Sequence, residues 1–350
     1  MKKKLLVILI AILLIVAGGS YMYIDGTRHA ISSKSKDVIV SVDSGESART
    51  VLSKLNKHKL VRNITAAKVY LKLKKPLFKA NTYKLNQNMS FVKMVSIMKG
   101  TQKQYIINEK VKVGEGTTIP QTAKAVATYL TKVTGKTVTD QDVIAKWKDQ
   151  SYLKSLISSY WFLTDDILQK DILYPLEGYF YPETYYCNEK NPTIESVTKK
   201  FLDEMDKKLT PLKSKIAASG YSVHQFLALT SVVERESLYD KDQAKIAGVF
   251  INRLNANKAL QSDITVNYAL GRTGVKVSHS MLKVDSKYNT YKYKGLPIGP
   301  ISTVQLKTLK AVLNYEKSDY YYFFAKKDGT VIYSKTFEEH QKAVKENKWY

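Results

Sequence analysis

Leu227 to Ser237 reads Leu-Ala-Leu-Thr-Ser-Val-Val-Glu-Arg-Glu-Ser. Phe226, Leu229 and Val233 recur at steps of three and four, the spacing of one helix face. The next step along that stripe is Glu236. A carboxylate that continues an apolar face is costly to bury ionised. Its pKa is therefore expected to rise, so that it can carry a proton near neutral pH. That is the equipment of a general acid. Glu234, two residues earlier, points to another side and reads as an ordinary polar-face residue. Taken alone the helix leaves two roles open for Glu236: a general acid, or a helix-end carboxylate that reaches solvent or pairs with a Lys or Arg.

Working outward, 350 residues with 44% hydrophobic content are enough for two or three domains and argue against wholesale disorder. The net charge of +25 predicts affinity for a polyanion: nucleic acid, an anionic membrane surface or an anionic wall polymer. No nucleic-acid motif is present, and the lysines are scattered rather than set in one stripe. Cys187 is the sole cysteine, so an intramolecular disulfide is impossible. The five histidines show no paired spacing, and neither a metal nor another cofactor is expected.

At the N-terminus, three lysines precede the apolar run Leu5 to Ala17, and apolar residues continue past Gly18 and Gly19 to Ile24. A helix from Leu5 to Ile24 spans a hydrocarbon core of about 30 Å. The lysines place its N-terminus in the cytoplasm, with Tyr21 and Tyr23 in the outer aromatic belt. The competing reading is a signal peptide cleaved near Ala17-Gly18-Gly19. Both export everything after Thr27, which removes cytosolic nucleic acid as a partner.

The expected architecture is α+β. A transmembrane anchor (1–24) and a linker (25–37) lead to a small domain (38–102) of strand, two helices, strand and a helix ended by Gly100. A connecting α+β region (103–172) follows, opening with a strand over Gln104 to Val113. Val111 to Gln121 echoes Val40 to Thr50, a weak sign of repetition. A larger α+β domain occupies 173–350. In it, the aromatic loop Leu176 to Tyr185 reads either as a structural corner or as one wall of a groove. Leu260 to Val266 reads as a polar turn or a set of sugar-binding side chains. Gly295 to Ile301 is a rigid loop, and Tyr320 to Tyr333 a hairpin turning at Asp328-Gly329.

Five ordered stretches resemble the endolytic murein transglycosylases, the MltG or YceG-like family: Leu176-Glu177-Gly178-Tyr179 through Pro182-Glu183-Thr184-Tyr185; Ser231 to Glu236; Val249 to Leu254; Leu260 to Asp263; and Tyr288-Asn289-Thr290-Tyr291 with Gly295-Leu296-Pro297. The anchor and small domain also fit that family's layout, in which the small domain looks LysM-like and the site lysozyme-like and helical. The resemblance implies that Glu236 is the catalytic acid. It implies cleavage of peptidoglycan glycan strands between N-acetylmuramic acid and N-acetylglucosamine, leaving 1,6-anhydro ends. It implies a substrate-binding set of Glu177, Tyr179, Glu183, Asn252, Arg253, Gln261, Ser262, Asp263, Thr265, Tyr288, Asn289, Thr290, Tyr291, Leu296 and Pro297. Peptidoglycan synthases of the elongation machinery are the implied protein partners.

Two departures stand out. Ser302-Thr303-Val304-Gln305 replaces the family's Ala-Asn-Pro-Gly, and Asp263-Ile264-Thr265 replaces Asp-Pro-Thr, each with loss of a stiffening proline. The competing functions are a muramidase that uses water, with Glu177, Glu183 or Asp263 as second carboxylate, and a non-catalytic wall-binding scaffold.

Overall fold

The computed structural model describes residues 2–106, 110–187, 192–272 and 277–347. Helix and sheet are mixed, and the chain folds as two compact units, Met1–Glu109 and Lys110–Tyr350. The stretch expected as a connecting region thus falls, from Lys110 onward, within the second unit.

In the first unit, α1 (Lys2–Arg28) contains a segment, Leu6–Arg28, long and apolar enough to cross a membrane, its most apolar part reaching a mean hydropathy of 2.4. Its side chains from Leu6 to Met22 are exposed. Strand β1 (Asp37–Val42) pairs antiparallel with β2 (Asn81–Asn86), in register from Asp37 opposite Asn86 to Val42 opposite Asn81. Between them lie α2 (Ala48–Lys57), capped by Ser47, and α3 (Ile64–Lys74), capped by Asn63, whose side chains accept the first free N–H groups. Helix α4 (Phe91–Ser96) starts at the Ser90 cap. It widens into a π turn in which Gly100 takes a φ of 78°, the left-handed conformation that ends a helix. Val40, Val51, Leu55, Tyr83, Leu85 and Met94 fill the core, and Tyr83 donates its buried hydroxyl to the Lys79 and Met98 carbonyls.

In the second unit, β3 (Lys110–Lys112) pairs antiparallel with β4 (Thr184–Tyr186). Of the strand expected over Gln104 to Val113, the described residues show β3 and an Ile106 bridge to Tyr83, with Lys103–Tyr105 a 3-10 turn; residues 107–109 lie outside those described. Both halves of the suspected repeat are strand, turn and helix, but β1 and β3 pair with different strands in separate units. Helices α5 (Ile119–Thr134), α6 (Asp140–Lys148), α7 (Gln150–Ser159), α8 (Ile194–Leu209) and α9 (Lys213–Ala218) precede α10 (Val223–Glu236). Helices α11 (Gln243–Asn255), α12 (Asp263–Ala269) and α13 (Leu306–Leu313) pack with α10. A hairpin, β5 (Tyr322–Ala325) with β6 (Val331–Ser334), and α14 (Phe337–Asn347) complete the unit.

Helix α10 is the axis of this core. His224 and every residue from Phe226 to Val233 are buried, so the stripe read from the sequence is one side of a helix enclosed all round. Its polar residues are satisfied: Thr230 bonds back to Phe226 O, and Ser231 accepts from Ile301 N. The first half of the Leu176 to Tyr185 loop forms a structural corner. Tyr179 and Phe180 are fully enclosed, with Phe180 packed edge-on against Trp147 and Phe201. Gly178, at φ 81°, sits so close to Pro300 that a Cβ would fall 2.3 Å from its ring. This contact joins the aromatic loop to the proline-rich one.

Candidate active site

Ser222 and Gln225 close a capping box that starts α10, and the extended conformation of Ser237 stops it directly after Glu236. The acid therefore projects from a rigid, fully packed helix at its last turn. Its carboxyl is enclosed while the residue keeps partial exposure. Burial, reinforced by the neighbouring Asp263 charge, pushes Glu236 up to about 7; a hydrogen bond from Ser262 and the Arg235 charge pull the other way. At neutral pH a large share of the molecules hold the proton that a general acid needs.

Ser262 Oγ donates to Glu236 Oε1 at 2.6 Å. Ser262 is itself placed from several directions. Its N–H donates to Thr290 Oγ1 at 3.1 Å, and its carbonyl accepts Thr265 Oγ1 at 2.7 Å. The two threonine hydroxyls meet at 2.8 Å. Preceding it, Gln261 occupies the left-handed region at φ 54°, a conformation that persists in such a residue only when its surroundings hold it. The holder is Arg253. Its guanidinium bonds Gln261 Oε1 at 2.5 Å, Ala259 O at 2.8 Å and Tyr321 O at 2.8 Å, and lies over the Tyr322 ring. The run Leu260 to Val266 is thus no simple turn: Ser262 is the N-cap residue of α12, and Asp263 begins the helix.

Asp263 Oδ1 accepts the Tyr291 hydroxyl at 2.6 Å, and burial, reinforced by this bond, pushes the Tyr291 phenol well above its usual range. Of the residues singled out in the sequence, Arg253, Gln261, Ser262, Asp263, Thr265, Thr290 and Tyr291 gather around Glu236 or hold those that do.

The others stand elsewhere. Glu177 is 1% exposed and receives Ile119 N–H, the first residue of α5, at 2.9 Å and the Tyr268 hydroxyl at 3.1 Å. It caps a helix inside the core, and burial pushes it up to about 8. Tyr179 donates to His224 Nδ1, whose Nε2–H goes to Ile298 O. Both it and Tyr288 are enclosed and offer a ligand no surface. Asn252 donates to Ser318 O and Tyr320 O, fastening the approach to β5. Asn289 donates to Leu282 O and Val284 O within its own loop. Pro297 is buried and Leu296 half-buried against the core. Glu183 is exposed on a separate recess lined also by Glu115, Tyr181 and Gln305.

Sequence reasoning passed over three features. Glu234 is no ordinary surface residue: it accepts from Gln305 N, Gln305 Nε2 and Thr308 Oγ1, anchoring the start of α13. Leu238 and Tyr239, directly after Glu236, are 71% and 45% exposed, with Lys241 over the Tyr239 ring. An apolar pair left outside just beyond a packed helix was the available signal. Finally, a recess of about 160 Å³ opens beside Arg235, lined by Tyr174, Ile264, Tyr268 and Arg272. The first of the two departures, Ser302 to Gln305, is held by hydrogen bonds. Thr303 bonds Thr117 and Gly114 from both its N–H and its hydroxyl, and Gln305 holds Glu234.

A carboxylic acid at the end of a buried helix, holding a proton near neutrality beside fixed hydroxyls, defines a site of the general acid–base class. The chain belongs to the YceG-like family, whose model matches residues 40–346. It is 33% identical over 332 residues to a protein of Bacillus subtilis named endolytic murein transglycosylase, covering 94% of this chain and 90% of that one. A Streptococcus pneumoniae protein of the same name is 32% identical over 97% of this chain, which spans 64% of that longer relative. The crystal structure of a putative yceG-like protein from Listeria monocytogenes is similar at a TM-score of 0.64 and 34% identity, over 89% of this chain and 100% of that one.

Proposed function

We propose that this protein is a membrane-anchored lytic transglycosylase that cuts peptidoglycan glycan strands internally, between N-acetylmuramic acid and N-acetylglucosamine. Glu236 is its single acid and base. The observation that carries the reading is the Glu236 carboxyl, enclosed, proton-bearing near pH 7 and oriented by Ser262. Relatives named for this activity support it.

Protonated Glu236 delivers its proton to the glycosidic oxygen as the bond from C1 breaks, and the N-acetylglucosamine side leaves with a hydroxyl. The 6-hydroxyl of the muramic residue then attacks C1, and its proton passes to the Glu236 carboxylate. The cycle closes with the acid restored and no water consumed, so no second carboxylate is needed, and the attack gains from proximity. Developing charge at C1 is favoured by the nearby Asp263 carboxylate, itself fixed by Tyr291. Segment 5–24 is the anchor, with the N-terminus in the cytoplasm and the second unit outside. The small unit is LysM-like in layout, and peptidoglycan synthases are the partner class.

The test is mass spectrometry of peptidoglycan digested by the full-length protein in lipid, as wild type and Glu236→Gln. Anhydro-muramic ends that vanish in the variant are expected. Reducing ends heavier by one water mean a hydrolase, with Asp263, the carboxylate beside the acid, as its second group. Activity that survives in Glu236→Gln refutes the assignment of the acid.

A further inference from the structure

The first unit exposes apolar surface that its own core leaves unused. Leu73 is 67% exposed and Leu77 86%, with Val69 at 44%. All three lie on the second half of α3 and the loop after it, among the exposed Lys68, Lys72, Lys74, Lys75 and Lys79. Single exposed leucines are ordinary, but a cluster ringed by lysines on one element marks an interaction surface. The charge around it has one sign: from Ser47 to Asn108 the chain contains no Asp or Glu.

The packing of α1 against α3 says what this surface faces. At Gly26 the α1 backbone comes so close that a Cβ would lie 2.6 Å from Asn63 Cβ and 2.7 Å from Ala66 Cβ. Arg62 Nε bonds Asp25 at 2.8 Å, and Thr27 is buried. One turn further along α3, Tyr70 lies near Tyr23, one turn earlier in α1. Moving forward along α3 therefore moves backward along α1, toward its apolar span. Leu73 lies beyond Ala66 by up to about 10 Å along the axis, at 1.5 Å per residue. About twenty residues fill the hydrocarbon thickness, so a span that starts at Leu5 or Leu6 ends near Asp25. Tyr23 and Tyr70 then stand at the membrane–water boundary. Leu73 and Leu77 reach it or pass below, with lysine stems long enough to return their ammonium groups to the headgroups.

We propose that the C-terminal half of α3 and the loop to Leu77 form a second membrane contact: an apolar tip seated at the headgroup–acyl boundary where α1 leaves the bilayer, with its lysines on anionic lipid headgroups. This rests on the reading of α1 as a membrane span. Two contacts fix the orientation of the small unit on the membrane, whereas one helix alone leaves it free to swivel.

The test uses the full-length protein with Cys187→Ser and one environment-sensitive fluorophore, attached in turn at Ile10→Cys, Thr65→Cys, Leu73→Cys and Leu77→Cys. The protein is reconstituted in phosphatidylglycerol–phosphatidylcholine vesicles containing lipid-borne nitroxide quenchers. Quenching is expected at 10, and at 73 and 77 well above 65, which lies about 12 Å back along the same helix. It should fall at 73 and 77, but not at 10, when Lys72, Lys74 and Lys75 are all replaced by Gln. Quenching at 10 with none at 73 and 77 beyond that at 65 overturns the second contact and leaves the span intact. No quenching at 10 overturns both.

Discussion

Replacing Ser262 by Ala removes one bond, the 2.6 Å donation to Glu236 Oε1, and little else. The Ser262 side chain makes no cap bond to α12, and its backbone contacts to Thr290 and Thr265 remain. A hydrogen bond to a charged group contributes about 1.5 kcal/mol at the lower end of its range, and one pKa unit corresponds to about 1.4 kcal/mol. The bond favours the carboxylate, so its loss should raise Glu236 from about 7 by about one unit. The sign is specific. A reaction that starts from the protonated acid should lose activity at a higher pH in the variant, so the alkaline limb moves up by about one unit. At pH 8 the protonated fraction should rise about fivefold over that of the wild type, even if the optimum rate falls because the carboxyl is less well aimed. The assay is the initial rate of soluble fragment release from peptidoglycan across pH 5 to 9, with Ser262→Thr as the control that keeps a hydroxyl. An alkaline limb that stays put or moves down would refute the assignment of both the bond and the acid.

Glu177 offers a stability test. Its folded pKa is raised to about 8 against an ordinary 4.5, so it costs stability increasingly as pH rises through that window. Glu177→Gln should gain on the wild type by about 2.5 kcal/mol between pH 6 and pH 9 in urea unfolding, and a difference that does not change with pH would contradict this. Arg253→Met leaves the Gln261, Ala259 and Tyr321 oxygens without their donor, a loss of about 3 kcal/mol at roughly 1 kcal/mol each. Activity should fall further than the unfolded fraction explains, because the segment that presents Ser262 relaxes. Gly178→Ala sets a methyl against Pro300 at φ 81° and should destabilise by about 3 kcal/mol. A midpoint within experimental error of the wild type would show that the two loops do not bear on each other.

Much of this was legible in the sequence because it depends on local pattern. Helical spacing picked out α10 and put Glu236 on it; the Gly100 and Asp328-Gly329 signals marked a helix end and a turn where they occur. What was not legible depends on long-range partners. Three carboxylates in similar-looking motifs, Glu177, Glu183 and Asp263, take three fates: a core helix cap, an exposed rim and a neighbour of the acid. Nothing within a few residues of each distinguishes them, because the deciding contacts are Ile119 for the first and Tyr291 for the third. Asn252 and Arg253, adjacent on α11, likewise divide: one fastens the chain before β5 and the other braces the site. The polar run Leu260 to Val266 resembled a turn because its cap and first helical turn are rich in hydroxyl and carboxyl groups, which serve turns and helix starts alike.

The bond from Arg253 to the Tyr321 carbonyl also bears on timing. A ribosome that has added residues as far as Leu313 has already made Glu236, Ser262 and Asp263, yet the brace on Gln261 still lacks its third acceptor and the Tyr322 ring beneath it. The Arg253 brace is complete only once the β5–β6 hairpin has been made. A chain made only as far as α13 therefore holds Gln261, and with it the segment that presents Ser262, by two of these three bonds.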